Sequence, residues 1–232
     1  MSELWVFVES FERAERIVLS GDEGRHVAAR RLRPGDPLVA FDGAGHTGLA
    51  RIESADRRGV AIRVETLEEV TPPADVWRLA TAIPKGERLA ILLPMLTQLA
   101  VPVWQPLVLE DSAVRSLDVE SARMRRILVE SAKLARRPWL LEVRPPCDLA
   151  TLLGAVGRAE RVCFGDRAGE RTGVPSDAAT VVIGPEAGFS AAELAALRQV
   201  GATAVTLGPH NMRIETAAVA AAATRLASSL RD

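Results

Sequence analysis

Two apolar runs in the last third of the chain stop at the same dipeptide. Val181-Val182-Ile183 ends at Gly184-Pro185, and Ala204-Val205-Thr206-Leu207 ends at Gly208-Pro209. An Ala-rich stretch with helical spacing follows each. A β-branched run, a Gly-Pro stop and a 3.6-residue period spell strand, tight turn and helix, twice in succession. In parallel α/β sheets ligands bind beyond the carboxyl ends of strands, so two such ends make a small-molecule cradle.

The rest of the pattern divides in two. Residues 1–70 are β-rich. Leu38-Val39-Ala40-Phe41 is a short strand, Asp42-Gly43-Ala44-Gly45 a hairpin turn, and His46 to Ser54 the partner strand. Asp56-Arg57-Arg58-Gly59 is a second turn, and Val60 to Glu65 alternates with period two. Asp22 to Val27 opens a short helix that ends near Pro34-Gly35-Asp36. These segments predict a small barrel of roughly five or six strands. Thr71-Pro72-Pro73 is a linker, and residues 74–232 form a second domain with a different rhythm. Trp77 to Ala82, Val103 to Val108, Leu140 to Val143, Arg161 to Phe164, Thr180 to Ile183 and Ala204 to Leu207 read as strands. Glu87 to Leu99, Val119 to Ala135 and Leu149 to Val156 read as helices, with Pro94 expected to kink or split the first. Strands alternating with helices imply a mainly parallel sheet, so the fold class is α/β.

Composition narrows the partners without naming them. The 232 residues carry a net charge of −1, with 48% hydrophobic and 25% charged residues, as in a soluble globular protein. No global basic field advertises nucleic acid, although a local patch would suffice. Cys147 and Cys163 form no CxxC pair, and His26, His46 and His210 are scattered, so no metal site is expected. The N-terminal residues lack the basic and apolar regions of a signal peptide. No apolar run approaches the roughly 18–20 residues of a membrane span, so a cytoplasmic protein is expected.

Candidate chemistry concentrates in the two loops. Gly184 and Gly188 permit close ligand approach, and Ser190 with Glu193 forms a capping box for the following helix. Glu186 has no such structural role. In the second loop, Thr216 either caps the last helix or lies within it, and Met212 and Ile214 suit a core. Arg213, between two apolar residues, is either solvated or a contact to phosphate or base. GxGxxG, GxxxxGK[ST] and GxSxG are all missing, so the loops fit a ligand held largely by backbone groups.

These two loops resemble those of the knotted (SPOUT) RNA methyltransferases. Within that class the chain is similar to the ribosomal RNA small subunit methyltransferase E family. Ala82-Ile83-Pro84-Lys85-Gly86-Glu87-Arg88 resembles the family's first catalytic loop, and Leu96 to Val101 with Gln105-Pro106-Leu107-Val108 its next helix and strand. His26 to Leu32, Pro34-Gly35-Asp36 and Phe41-Asp42-Gly43 resemble its PUA-like barrel. The chain departs from the family pattern at Ala187, where a glycine is usual, and at Leu134-Ala135, where Gln-Ser is usual. It also departs at Thr97-Gln98-Leu99-Ala100 and at Asp111.

The resemblance implies a PUA-like β-barrel followed by an α/β domain with a trefoil knot, a homodimer, and S-adenosylmethionine as methyl donor. It implies methylation of N3 of a uridine in 16S rRNA of the small ribosomal subunit. Ile83, Ile183, Gly184, Pro185, Glu186, Gly188, Leu207, Gly208 and Met212 would hold the donor. Arg213 would stabilise the uridinate, while Glu186 would act as base or face the donor's amino group. Arg30, Arg31, Arg33, Lys85, Arg136 and Arg137 would contact RNA, each with an alternative as a solvated surface charge. The Ala-rich face of Ala217 to Ala223 suits a dimer interface or an internal core equally well. The alternative function is a non-catalytic RNA-binding or ribosome-assembly protein that keeps the fold.

Overall fold

The computed structural model describes residues 4–11, 15–30, 32–56, 59–72, 74–157, 159–169 and 171–231. Arg31, Pro73 and the turn residues Arg57 and Arg58 lie outside the described residues. The chain divides into two compact units, Met1–Pro73 with Val129–Leu140, and Ala74–Leu128 with Leu141–Asp232. The second stretch of the first unit lies inside the region that the sequence pattern assigns to the second domain.

The first unit holds β1 (Trp5–Phe7), β2 (Arg16–Leu19), α1 (Gly21–Ala29), β3 (Pro37–Phe41), β4 (His46–Asp56) and β5 (Gly59–Glu69). The sheet order is β1-β3-β4-β5-β2, with β1 parallel to β3 and the other pairs antiparallel. Among the described residues it is a five-stranded curled sheet whose two edge strands, β1 and β2, do not pair, rather than a closed barrel. Register irregularities between Leu49 and Ala50 and between Ile52 and Ser54 let the long β4–β5 ribbon bend. The Asp42–Gly45 turn is organised by one carboxylate: Asp42 Oδ1 accepts from the Ala44 N–H at 2.8 Å and the His46 N–H at 3.1 Å. Val6, Leu38, Ala40, Ile52 and Ile62 alternate inward and close a core against Val27 of α1. Helix α1 stops at Ala29, short of the Pro34-Gly35-Asp36 end expected from the sequence, because Arg30 already closes its last turn onto the Val27 and Ala28 carbonyls.

The second unit contains β6 (Arg78–Ala82), α2 (Arg88–Gln98), β7 (Val103–Leu107), β8 (Glu142–Val143), α4 (Leu149–Gly154), β9 (Arg161–Gly165), β10 (Arg171–Thr172), β11 (Ala178–Ile183), α5 (Ala191–Gln199), β12 (Thr203–Thr206) and α6 (Ile214–Ser229). Helix α3 (Ala122–Ala135) gives its first half to this unit and its second half to the first unit. Every strand pair is parallel, in the order β10-β12-β9-β11-β6-β7-β8.

Alternation fills both faces of this sheet. Leu79, Cys163, Val181, Ile183 and Val205 face one core with Leu92, Leu96, Ala218, Ala221 and Ala222 of α2 and α6. Ala80, Ala82, Val162, Phe164 and Val182 face another with Leu152 of α4 and Leu197 of α5. The Ala-rich face of α6 is thus in part internal packing. Helix α2 runs unbroken through Pro94. The missing N–H removes one backbone bond, while Leu92, Leu93 and Leu96 are fully buried around it, and that burial outweighs one lost bond.

Arg225 of α6, 3% exposed, fixes the helix to the unit. Its guanidinium pairs with Asp75 at 2.7 and 2.9 Å, donates to the Ala178 carbonyl at 2.9 Å and lies 4.6 Å from the Trp77 ring centroid. No helix among the described residues is long and apolar enough to cross a membrane.

Candidate active site

Strands β12, β9 and β11 are consecutive in the parallel sheet, so their carboxyl ends share one edge. The three loops that leave them contribute Gly165–Ala168, Gly184–Phe189, Leu207, Gly208 and His210–Met212 to the lining of a cleft of about 470 Å³. This is the position where an open parallel sheet binds small molecules.

The loop after β11 is a tight turn, with the Gly188 N–H donating to the Pro185 carbonyl at 2.9 Å. Gly188 has φ +89°, a conformation other residues adopt only with strain, and a Cβ added there would point into open space. The capping box expected at the end of this loop is present. The Glu193 N–H donates to Ser190 Oγ at 3.3 Å and the Ser190 N–H donates to Glu193 Oε2 at 2.8 Å. Phe189 packs edge-on to Phe164, with centroids 5.9 Å apart, and its ring covers Gly184, where a Cβ would come within 3.1 Å.

In the loop after β12, a Cβ added at Gly208 would meet the Met212 methyl group, the far end of a flexible side chain. The loop after β9 is tied to β12 by the Asp166 N–H, which donates to the Val205 carbonyl at 2.9 Å. It is tied to the β12 loop by Arg167, which donates to Asn211 Oδ1 at 3.2 Å. Arg88 meets an acid from each Gly-Pro segment, lying 3.5 Å from Glu186 and 3.7 Å from Glu215. The second Glu215 oxygen is buried with no hydrogen-bond partner among the described residues.

The structure places Ile183, Gly184, Pro185, Glu186, Gly188, Leu207, Gly208 and Met212 on the cleft. Ile83 is buried at the end of β6, next to β11, and is not among the lining residues. Arg213 is the backbone N-cap of α6, exposed and without an ion-pair partner among the described residues, and it too stands outside the lining. Thr216 lies within α6 and is not its cap.

The basic candidates separate. Arg30 and Arg136 line a different cleft within the first unit. Arg33 is exposed, with its N–H on Asp36 at 2.7 Å. Lys85 is exposed on the loop after β6 in the second unit. Arg137 is partly buried, and burial holds its guanidinium below the usual arginine range.

Gly165 to Ala168 also line the cleft, and no strong sequence pattern marks them. The available signal was the strand Arg161 to Phe164 stopping at Gly165-Asp166, a weaker stop than Gly-Pro. The Arg88–Glu215 contact joins α2 to α6, so no local sequence pattern signals it. Among the described residues no cluster of His, Cys, Asp or Glu is arranged to hold a metal ion.

Comparison with known proteins agrees with this architecture. Residues 72–225 match a family described as an RNA methyltransferase domain, and residues 19–65 match an RNA methyltransferase PUA domain. The chain is 34% identical over 223 residues to the ribosomal RNA small subunit methyltransferase E of Mycobacterium bovis, covering 88% of this chain and 83% of that one. The fold matches a probable rRNA-methyltransferase from Porphyromonas gingivalis with a TM-score of 0.86 at 26% identity, covering 98% and 99% of the two chains. It matches a methyltransferase from Legionella pneumophila, solved with the cofactor SAM bound, with a TM-score of 0.83 at 25% identity, covering 98% of each. The parallel sheet with its looped edge, the curled N-terminal sheet and a relationship that spans nearly the whole chain lead to one assignment: this chain belongs to the ribosomal RNA small subunit methyltransferase E family of RNA methyltransferases.

Proposed function

We propose that the protein is an S-adenosylmethionine-dependent methyltransferase that acts on N3 of a uridine in 16S rRNA. The observation that carries this reading is the glycine-rich cleft at the ends of three adjacent parallel strands, in a chain of this family. The residues present suit the donor. A cleft of about 470 Å³ is within the range of small-molecule sites. Ile183, Leu207 and Met212 offer apolar walls, Gly184, Gly188 and Gly208 offer backbone at close range, and Glu186 or Asp166 offers a carboxylate to an amino group.

When bound, S-adenosylmethionine supplies a methyl group already activated on a sulfonium, so the protein's task is to position two reactants. The uridine N3 proton must also leave. Arg213 is exposed, with no ion-pair partner among the described residues, at the end of the loop that contains Met212, which suits it to stabilise the uridinate. Glu186 is exposed on the facing loop and takes the role of base or of donor ligand. Arg30, Arg33, Lys85 and Arg136 are exposed cations available to the RNA backbone.

The reading extends to a knotted homodimer working in the cytoplasm. The chain leaves β11, passes through α5 and returns as β12 on the far side of β9, a crossing that a threaded C-terminal segment requires. Ile91 and Met95, one helical turn apart on α2, are 49% and 40% exposed and suit an apolar contact with a second copy.

The test is transfer of labelled methyl from S-adenosylmethionine to small subunits lacking the modification, with the product nucleoside identified by mass spectrometry. The expected product is 3-methyluridine in 16S rRNA. The alternative to this reading is an RNA-binding or ribosome-assembly protein that keeps the fold without turnover. RNA binding with no methyl transfer would establish that alternative.

A further inference from the structure

We infer that a second cleft, built entirely from first-unit residues, is a subsite for one unstacked nucleotide of single-stranded RNA. Its base would lie against Trp5 and Leu134, with flanking phosphates on Arg30 and Arg136. The inference rests on the reading that the substrate is RNA, and it adds where and how one nucleotide is gripped. The cleft is about 730 Å³, larger than the one at the strand ends.

Its charges are not equivalent. Lys133 is already engaged: it is 8% exposed, with Nζ 2.8 Å from Glu23 Oε1 and 3.0 Å from Glu130 Oε1. Asp36 accepts the Arg33 N–H at 2.7 Å. Arg30 and Arg136 have no ion-pair or hydrogen-bond partner for their guanidinium groups among the described residues, yet both line this cleft. Two guanidinium groups on one concave surface, neither engaged by an acid among the described residues, offer charge to an incoming anion. Arginine is the side chain best shaped to take a phosphate.

The apolar wall has its own signature. Leu134 is 72% exposed although its neighbour Lys133 is buried, so the last turn of α3 presents the leucine to solvent and takes the ammonium inward. Trp5 is partly buried and its ring is backed by Phe41, with centroids 5.4 Å apart, leaving a supported aromatic surface on the cleft. Arg136 has φ +51°, the left-handed conformation normally given to glycine after a helix. That backbone strain is accepted at a position whose side chain lines the cleft. An aromatic platform beside paired cations is how proteins hold splayed RNA bases, whereas double-stranded RNA is recognised across a broad surface.

The experiment uses the full chain and a fluorescent ten-nucleotide single-stranded RNA, with affinity measured over a range of salt concentrations. Arg30→Ala and Arg136→Ala are each expected to weaken binding about tenfold and to lower the slope of log affinity against log salt by about one. Leu134→Glu, at a solvent-exposed position, is expected to weaken binding similarly and keeps the test informative should Trp5→Leu fail to fold. Trp5→Leu is expected to weaken binding about tenfold with the slope unchanged, since stacking releases no counterions. A parallel titration with S-adenosylmethionine reports on the strand-end cleft of each variant. Variants that bind the donor normally and the RNA as tightly as wild type, with the same salt slope, would overturn the subsite while leaving the methyltransferase reading intact. Wild-type protein that binds this RNA but not S-adenosylmethionine would count against that reading instead.

Discussion

The two clefts are made of different materials. In the second unit the lining comes from loops that leave adjacent parallel strands, with Gly165, Gly184, Gly188 and Gly208 among it. In the first unit the walls are side chains drawn from β1, the end of α1, the start of β3 and the last turns of α3. A backbone site depends on a few steric vacancies, so one added methyl group can close it. A side-chain site depends on charge and surface, and it degrades by steps as each group is removed.

The sharpest way to break this contrast is at Gly208. Gly208→Val must push the Met212 methyl group aside, and Met212 is itself a lining residue. Loss of measurable S-adenosylmethionine binding, on the order of 100-fold or more, is the expected result by calorimetry, with little change in RNA affinity. Unaltered donor affinity would mean that the loop is not the donor's cradle.

Among the described residues each unit holds one buried cation, Lys133 and Arg225, and the two should fail unequally. Lys133→Met leaves Glu23, whose side chain is only 15% exposed, without its cation, and should cost about 3 kcal/mol. Arg225→Met leaves Asp75, which is 58% exposed and can be solvated by water, and should cost nearer 1–2 kcal/mol. Urea unfolding monitored separately for each unit measures both. Equal losses would show that exposure of the abandoned acid does not set the penalty.

Arg213→Ala tests chemistry apart from binding. It should lower kcat about 100-fold with donor affinity unchanged, because the side chain stands outside the cleft lining. A rise in the donor dissociation constant instead would make Arg213 a binding residue. The smallest expected effect is at the loop's exit. Ser190→Ala removes one half of the capping box and should cost about 1 kcal/mol of stability.

The same contrast explains what could be read from residues alone. Gly184-Pro185 and Gly208-Pro209 were legible because each interrupts a β-branched run and is followed by a helical period. Once β11 and β12 are both placed beside β9 in a parallel sheet, their loops must share an edge. The contribution of Gly165 to Ala168 was hidden because strand order, not local sequence, brings that loop between the other two. Strands β1, β2 and β10, of three, four and two residues, are too short for alternation to register. Pro94 misled in the opposite direction: local chemistry called for a broken helix, and a fully buried leucine face held it together. Arg30 and Arg136 were visible as basic residues, but their convergence was not, because α3 lies more than ninety residues on from α1 in sequence and only tertiary packing joins them.

On the proposed function, the glycine-lined loops at the ends of β9, β11 and β12 hold the methyl donor. Calorimetric titration of the purified chain with S-adenosylmethionine tests it most directly. Saturable binding near one site per chain, abolished in Gly208→Val, is the expected result. A folded wild-type protein that shows no binding would contradict it.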